Sequence, residues 1–390
     1  MSRPAVEVAD LLREQGDRFI DRSPWLSYQQ LSVLRAIRCC RTAALGGHID
    51  RCSQCGHQAI SYNSCRNRHC PKCQAQSRHR WLAAREKELL DVPYFHVVFT
   101  LPNQLNPLCW RNAPVLYDLL FRASADTMME VAANPRRLGA QIGFISILHT
   151  WGQNLLLHPH VHCVVPAGGL SASHDRWIHP KYAFFLPVNV LSTVFRAKFV
   201  EGLRKAYRQK KLIFTGSISQ LANPKRFAAF VNSLFKKQWV VYAKPTFGAP
   251  AWVLRYLGRY THRVAISNHR LLAFDGENVT FRWKDYAHGN KQRKMTVEAV
   301  EFLRRFTQHI LPRGFVRIRQ FGFLTNTRRS ALLTLARQFL VCTPTASQAA
   351  PANTCEACAW RCPVCNGEMR IGVNLSPRQL AAQCKPLDSS

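Results

Sequence analysis

The chain has 390 residues and a formal net charge of +32, because lysine and arginine outnumber aspartate and glutamate by 54 to 22. This excess predicts a polyanionic partner, nucleic acid before membrane, and a hydrophobic content of 47% excludes a disordered basic tail. No apolar run reaches the roughly 18 residues that span a bilayer, and the N-terminal residues lack an apolar signal core, so we expect a cytoplasmic protein.

Hydrophobic periodicity and turn residues predict the elements in chain order. Helices are expected over 4–38 and 77–90, with a cysteine-rich module between them. A strand over 94–100 begins the core, helices follow over 113–132, and strands over 143–149 and 161–166 are expected to pair antiparallel. Further predicted elements are helices over 190–208 and 224–238, a hairpin over 270–283, and a linker from about 343.

The fifteen cysteines are expected to be reduced in a cytosolic protein, so metal sites explain them better than disulfides do. Two Cys-x-x-Cys pairs lie fourteen residues apart, a spacing close to that of a four-cysteine zinc ribbon. We therefore predict one structural zinc ion held by Cys52, Cys55, Cys70 and Cys73. Three neighbouring side chains could replace a ligand or hold a second ion: Cys65, His57 and His69.

His160 and His162 alternate along a predicted strand, so their imidazoles project side by side from one face. Two imidazoles at this spacing provide half of a metal site, although a strand end that simply carries histidines would show the same pattern. His158 shares this face and precedes Pro159, where it is expected to shape the strand entrance. The candidates for a third ligand are His149, Gln153 and His262.

Carboxylates are scarce around this strand. Between residues 131 and 274 the only acidic residues are Asp175 and Glu201. Two-metal nucleases hold their ions mainly with carboxylates, so a metal here must be held mostly by nitrogen. One ion suffices if a side chain, instead of water, attacks the substrate.

Tyr256 and Tyr260 are four residues apart, which places them on one face of a helix. A tyrosine hydroxyl, with a pKa of about 10, needs a metal or a base to become a nucleophile. Arg255, Arg259 and Arg263 repeat the same spacing and could bind a phosphate by paired hydrogen bonds. The alternative is ordinary packing beside a solvated basic face.

Two further segments leave alternatives open. Residues 281–330 hold twelve lysines and arginines against three acids, interleaved with aromatic residues. This pattern suits stacking of unpaired bases, or equally a basic face over core aromatics. Near the C-terminus, Cys355, Cys358, Cys362 and Cys365 form two pairs only three residues apart. They could form a compact zinc site, an iron–sulfur ligand run or a reactive tail.

The histidine pair followed by Tyr256-x-x-x-Tyr260 resembles the HUH nucleases, and specifically the two-tyrosine rolling-circle transposases of IS91-like insertion sequences. Further motifs carry this resemblance over some 280 residues, namely 41–48, 62–73, 95–102, 149–153, 281–286 and 311–319. It implies an α+β fold: an antiparallel-sheet HUH nuclease core with flanking helices, the histidine strand central, and the tyrosine helix packed beneath it. The implied parts are N-terminal helices with a small zinc-binding transposase domain (1–92), a catalytic domain (93–342), and a linker with a Cys-rich tail (343–390).

The resemblance also implies a mechanism. His160 and His162 hold Mg²⁺ or Mn²⁺, a third residue completes the site, and Tyr256 or Tyr260 attacks single-stranded DNA to give a 5′-phosphotyrosine. The implied partners are the single-stranded or hairpin ends of the protein's own element and the target DNA, bound in part by Arg255, Arg259 and Arg263, in the nucleoid of a bacterial cell. Two other functions stay open, a replication-initiator or relaxase-like nuclease and a non-catalytic zinc-containing DNA-binding protein.

Overall fold

A computed structural model describes residues 4–181, 185–245, 258, 265–285, 288–341 and 361–383. The α-helices, numbered α1 to α11 in chain order, are Val8–Glu14, Gly16–Asp21, Tyr28–Arg38, Gln74–Glu86, Asn106–Arg111, Ala113–Ala133, Val188–Arg208, Pro224–Ser233, Ala299–Thr307, Arg329–Val341 and Pro377–Gln383. The strands, β1 to β13, are Gly47–Cys52, Gln58–Tyr62, Tyr94–Thr100, Gly143–Trp151, Leu157–Pro166, Gly169–Leu170, Trp177–Ile178, Val241–Pro245, Leu271–Phe274, Asn278–Asp285, Lys291–Glu298, Ile318–Gly322 and Met369–Leu375.

The chain forms two compact units, each assembled from separated segments. The first unit contains residues 1–77, 262–310 and 349–390, and the second contains 78–261 and 311–348. The domains predicted from the sequence are continuous ranges with boundaries at 92/93 and 342/343, whereas each of these units combines separated ranges. Helices combined with antiparallel sheets confirm the predicted α+β class.

The first unit joins the N-terminal helices to the segment around residues 265–310. It contains two three-stranded sheets, β13-β1-β2 and β11-β10-β9, the second including the predicted hairpin. The Val8 amide donates to Asn268 Oδ1 at 3.3 Å, and Gln30 Nε2 donates to the Thr307 carbonyl at 3.2 Å. Helix α9 of this unit is amphipathic. It buries apolar residues that recur at the three- and four-residue spacing of one helix face, and these are Ala299, Phe302, Leu303 and Phe306.

The second unit is built on a five-stranded sheet of order β12-β4-β5-β3-β8. All neighbouring strands in it are antiparallel. Strand β5 is the central one, which confirms the predicted position of the histidine strand, and the predicted antiparallel pair of β4 and β5 is also present. Within the described residues, none of the helices is long and apolar enough to cross a membrane.

The two faces of this sheet have different roles. One face packs against α6 and α7 through alternate strand residues, including Phe99 and Val161. The rings of Phe99 and Phe195 are 4.9 Å apart, and those of Phe199 and Trp239 are 5.3 Å apart. The opposite face is covered by a smaller apolar cluster that includes residues of α4 and α10. The side chains described next project from this second face.

Candidate functional site

The strand register brings three histidines together. His149 on β4 lies directly opposite His160 on β5, and the His162 position on β5 is flanked by Ile147 and Val98. Directly opposite residues in a sheet project from the same face. The candidate ligand atoms of His149, His160 and His162 consequently all lie within 4.8 Å of one another. The structure thus brings the two predicted ligands together with one of the three candidates for the third.

His96 on β3 is a fourth member of this cluster that the sequence did not single out. Its Nε2 lies 2.8 Å from His162 Nδ1, and the two rings stack with centroids 5.0 Å apart. If an ion binds Nε2 of His162, the ring proton must be on Nδ1, where it is donated to His96. A hydrogen bond of this kind fixes the tautomer and the orientation of a ligand imidazole.

The remaining rings are also held in place. His160 Nδ1 lies 2.6 Å from the His158 carbonyl, so it donates its proton there and leaves Nε2 with the lone pair. The His149 ring stacks on Trp151 at 4.5 Å. His158 itself is exposed and lies outside the group of three, although its ring is 5.1 Å from that of His160.

Burial keeps His96, His160 and His162 neutral. It lowers the pKa of His160 to about 3 and that of His96 to about 4, and it holds the pKa of His162 well below its usual value. Neighbouring histidines act in the same direction on His160 and His162, because a second positive charge is unfavourable beside the first. Neutral imidazole is the form that binds metal ions, so the cluster is prepared for a cation.

Carboxylates take no part in the group of three within the described chain. Asp175 accepts a hydrogen bond of 2.7 Å from Ser171 Oγ. Glu201 lines a cavity of about 420 Å³ between α6 and α7, the helices that pack on the other face of the sheet. The sequence predicts a metal held mostly by nitrogen, and the group of three within the described residues offers three imidazoles.

The predicted nucleophiles lie outside the described residues. They are Tyr256 and Tyr260. The structure also leaves undescribed His262 and the three arginines predicted to bind DNA, Arg255, Arg259 and Arg263. Gly258, between the tyrosines, is described and is helical. A Cβ placed on Gly258 would lie 2.7 Å from Leu82 Cδ1 on α4. Leu82 packs against the apolar cluster on the histidine face of the sheet.

The four predicted zinc ligands are divided between two cysteine clusters. Cys70 and Cys73 lie with Cys65 and Cys40, and all four thiols are within 4.8 Å of one another. Cys73 Sγ is 3.5 Å from Cys40 Sγ and 3.6 Å from Cys65 Sγ, far beyond the roughly 2.05 Å of a disulfide. Hydrogen bonds from the thiols of Cys65 and Cys70 lower the pKa of Cys40, while hydrogen bonds with Cys40 and Cys65 raise the pKa of Cys70.

Cys52 and Cys55 belong to the other cluster, with Cys362 and Cys365. The prediction of one site made from Cys52, Cys55, Cys70 and Cys73 is therefore corrected to two groups. The physical reason is that Cys52 ends β1 and is held there by pairing with β13, which comes from the far end of the chain. Cys355 and Cys358 lie outside the described residues.

Two kinds of side chain were missed because their sequence signals are weak. His96 is a single histidine in an otherwise apolar strand, and such a histidine is usually ordinary core. Strand alternation shows that His96 shares one face of β3 with Val98 and Thr100. Only the register of β3 against β5 places it beside His162. Cys40 follows α3 and belongs to no Cys-x-x-Cys pair.

Two family models match the chain. One described as a putative transposase matches residues 143–331, which include β4, β5 and both predicted tyrosines. The other, described as a transposase zinc-binding domain, matches residues 11–101 and includes the cluster of Cys40, Cys65, Cys70 and Cys73.

Two curated proteins are similar over most of their length. The putative transposase y4qJ of Sinorhizobium fredii is 52% identical over 340 residues, which cover 87% of this chain and 85% of that protein. The transposase for insertion sequence element IS801 of Pseudomonas savastanoi pv. phaseolicola is 29% identical over 332 residues, covering 82% of this chain and 73% of that protein. Solved structures gave no significant match.

The hydrogen bond between His96 and His162 predicts that His96 positions a ligand. His96→Phe keeps an aromatic ring but removes the acceptor for His162 Nδ1, so Mn²⁺ affinity is expected to fall about 10–100-fold. Isothermal titration of the zinc-loaded protein measures the Kd, with circular dichroism to check the fold. His174→Phe is the control, because His174 lies outside the group of three and contacts Gln141 instead. Unchanged Mn²⁺ affinity in a folded His96→Phe protein would contradict this role.

Proposed function

Because the chain belongs to the IS91-like family of transposases, we propose that it catalyses rolling-circle transposition of an insertion sequence by metal-assisted attack of a tyrosine on single-stranded DNA. The observation that carries this proposal is the convergence of His149, His160 and His162 on the central strands of an antiparallel sheet. This arrangement offers one metal site made of nitrogen donors. It suits a mechanism in which a side chain attacks the phosphate, instead of a water molecule bound to a second metal ion.

The three imidazoles fit a divalent transition-metal ion. Mg²⁺ prefers oxygen ligands and keeps most of its waters, whereas imidazole suits softer ions, so of the two predicted ions Mn²⁺ fits this donor set better. When bound, such an ion supplies Lewis-acid polarisation of the scissile phosphate and stabilises its developing charge. His96 holds the Nδ1 proton of His162, and the His158 carbonyl accepts that of His160. With these protons on Nδ1, Nε2 of His160 and of His162 is free of a proton and can bind the ion.

The nucleophile in this proposal is Tyr256 or Tyr260. Its hydroxyl oxygen bonds to phosphorus, the bond from phosphorus to the 3′-oxygen breaks, and the proton lost by tyrosine balances the one gained by the 3′-hydroxyl. One phosphodiester replaces another, so rejoining needs no ATP. Two tyrosines allow a second strand to be cleaved while the first end remains attached, as rolling-circle transfer requires.

Gly258 lies between the two proposed nucleophiles in the sequence. It is helical, and it lies against Leu82, which packs on the histidine face of the sheet. The same helix carries Arg255, Arg259 and Arg263 in our proposal, where they bind the DNA phosphates.

Strand β11 offers further basic side chains for DNA, on both of its faces. Lys291, Arg293 and Lys294 are exposed there, and Lys294 pairs across the sheet with Arg282. Five aromatic residues between positions 281 and 330 lie in or against the core: Phe281, Phe306 and Phe323 are buried, and Phe315 and Phe321 pack against the core. Of the two interpretations left open by the sequence, the basic face over core aromatics is the one observed for these five rings.

The alternatives are less well supported. A replication initiator or relaxase-like nuclease could use the same histidines and tyrosine, but both curated relatives are named as transposases and match most of the chain. A non-catalytic zinc protein would leave the converging imidazoles without a role. Formation of a covalent DNA adduct separates the nuclease classes from this last possibility.

The tyrosines provide the main test. Tyr256→Phe combined with Tyr260→Phe retains both rings and removes both nucleophilic oxygens, so covalent adducts should be abolished while DNA binding stays near normal. His160→Ala should also abolish adducts, by removing a ligand instead of the nucleophile. The assay is denaturing electrophoresis of a labelled single-stranded oligonucleotide from the element end, followed by protease treatment.

Tyr28→Phe is the matched control, since Tyr28 is exposed on α3 in the first unit and should leave adduct yield unchanged. Single substitutions at Tyr256 or Tyr260 should stop transposition, while one of the two proteins still nicks an oligonucleotide. If the double variant nicks DNA and leaves a free 5′-phosphate, water is the nucleophile and the proposal fails.

DNA binding should depend steeply on salt. Each phosphate bound on a single strand releases counterions and contributes about −0.7 to the slope of log K against log salt. Lys291→Gln with Lys294→Gln should make the slope shallower by about 0.7 for each of the two lysines that binds a phosphate. The control, Lys236→Gln with Lys237→Gln, removes the same charge from exposed residues of the second unit. Equal slopes for the two double variants, measured by fluorescence anisotropy, would exclude β11 from the DNA surface.

A further inference from the structure

The cluster of Cys52, Cys55, Cys362 and Cys365 lies partly beyond both family matches. The zinc-binding domain model ends at residue 101 and the transposase model at residue 331. We infer that these four cysteines form a second structural zinc site, assembled from an N-terminal loop (52–57, the first knuckle) and a C-terminal loop (362–367, the second knuckle). The inference is independent of the proposed DNA chemistry.

The two knuckles have the same backbone structure. In each, the amide of the first cysteine donates to the carbonyl five residues later, at 2.8 Å in both knuckles. The amide four residues after that cysteine donates back to its carbonyl, at 3.2 Å in the first knuckle and 2.9 Å in the second. Equivalent loops that face each other present four cysteine side chains to one point, which is how a zinc ribbon is built.

The thiols receive equivalent support. The amide two residues after the first cysteine lies 3.4 Å from its sulfur in both knuckles, as Gln54 N to Cys52 Sγ and Val364 N to Cys362 Sγ. The residue after the second cysteine has a left-handed backbone in both cases, with φ of +71° at Gly56 and +60° at Asn366. Glycine and asparagine are the residues that adopt this conformation most readily. Both sequences are therefore suited to the same loop.

The sulfur distances fit a metal ion and exclude a disulfide. Cys52 Sγ lies 3.4 Å from Cys365 Sγ, and Cys55 Sγ lies 3.6 Å from Cys362 Sγ. Tetrahedral zinc with Zn–S bonds of about 2.3 Å places its sulfurs about 3.8 Å apart. A disulfide would need about 2.05 Å. The thiols are thus close to the spacing of a four-cysteine zinc centre.

Strand pairing brings the knuckles together without help from the ion. Strand β13, which follows the second knuckle, pairs antiparallel with β1, which leads into the first, and Cys52 lies opposite Met369. The amide of Ser53 extends this ladder by donating to the Glu368 carbonyl at 3.0 Å. Zinc then cross-links positions 307 residues apart in the sequence. The C-terminal segment is therefore part of the zinc-binding domain.

Zinc stoichiometry of the full chain tests this inference. Plasma mass spectrometry is applied to the purified protein and its variants, all in a His160→Ala background that removes a ligand from the histidine group. The chain with both cysteine clusters intact is expected to hold two zinc ions. The pair Cys52→Ser and Cys55→Ser should leave one ion, and the pair Cys362→Ser and Cys365→Ser should also leave one. All four substitutions together should still leave one, because both pairs serve the same ion. Cys39→Ser is the control and should keep two, since Cys39 belongs to neither cluster.

Two zinc ions retained after loss of Cys362 and Cys365 would overturn the inference, as would loss of both ions in the fourfold variant. If a variant proves insoluble, the unaltered chain reconstituted with Co²⁺ provides the measurement. We expect two tetrahedral Co²⁺ ions per chain, one in each cysteine cluster, both with thiolate charge-transfer absorption. A single such ion would contradict the second site.

Discussion

The antiparallel register of β3, β4 and β5 is the constraint on which the candidate site depends. It sets His149 opposite His160 and places His96 within hydrogen-bond distance of His162. A shift of one residue in either pairing would turn a histidine toward α6 and α7, because side chains alternate between faces. The register is fixed by the apolar residues of the other face, among them Phe99 and Val161, which can only pack in one alternation. Hydrophobic packing and metal-ligand geometry are thus two outcomes of the same pairing.

Sequence reasoning was most successful where the signal is local. Alternation of His160, Val161 and His162 was enough to predict a strand with both imidazoles on one face. The branched and aromatic run from Tyr94 to Thr100 predicted another strand, and its pairing with the histidine strand is seen in the structure. The α+β class was implied by the family resemblance. His96 could not be assigned in this way, because one histidine in a buried strand has no periodicity of its own and acquires its role only from the partner strand.

For the cysteines, local spacing in the sequence led to the wrong metal partners. The spacing of Cys55 and Cys70 resembles that of a closed ribbon, so the nearest pairs were assigned to each other. In the structure each pair has other partners, Cys40 with Cys65 for one and Cys362 with Cys365 for the other. Spacing along the chain reports the cost of closing a loop, which rises only slowly with its length. A distant strand that pairs well, such as β13, can therefore replace a nearby knuckle, and the same pairing places the C-terminal segment in the first unit.

The distance between the two knuckles has a consequence for synthesis of the protein on the ribosome. Cys52 and Cys55 leave the ribosome 307 residues ahead of their partners. At translation rates of about 5–20 residues per second, this interval is about 15–60 s. Throughout that time the first thiols have no second knuckle, whereas all of Cys40, Cys65, Cys70 and Cys73 emerge within a short stretch of chain. A chain truncated by premature termination would never close the ribbon, so the N-terminal domain reaches its final form only in a molecule that has been translated past β13.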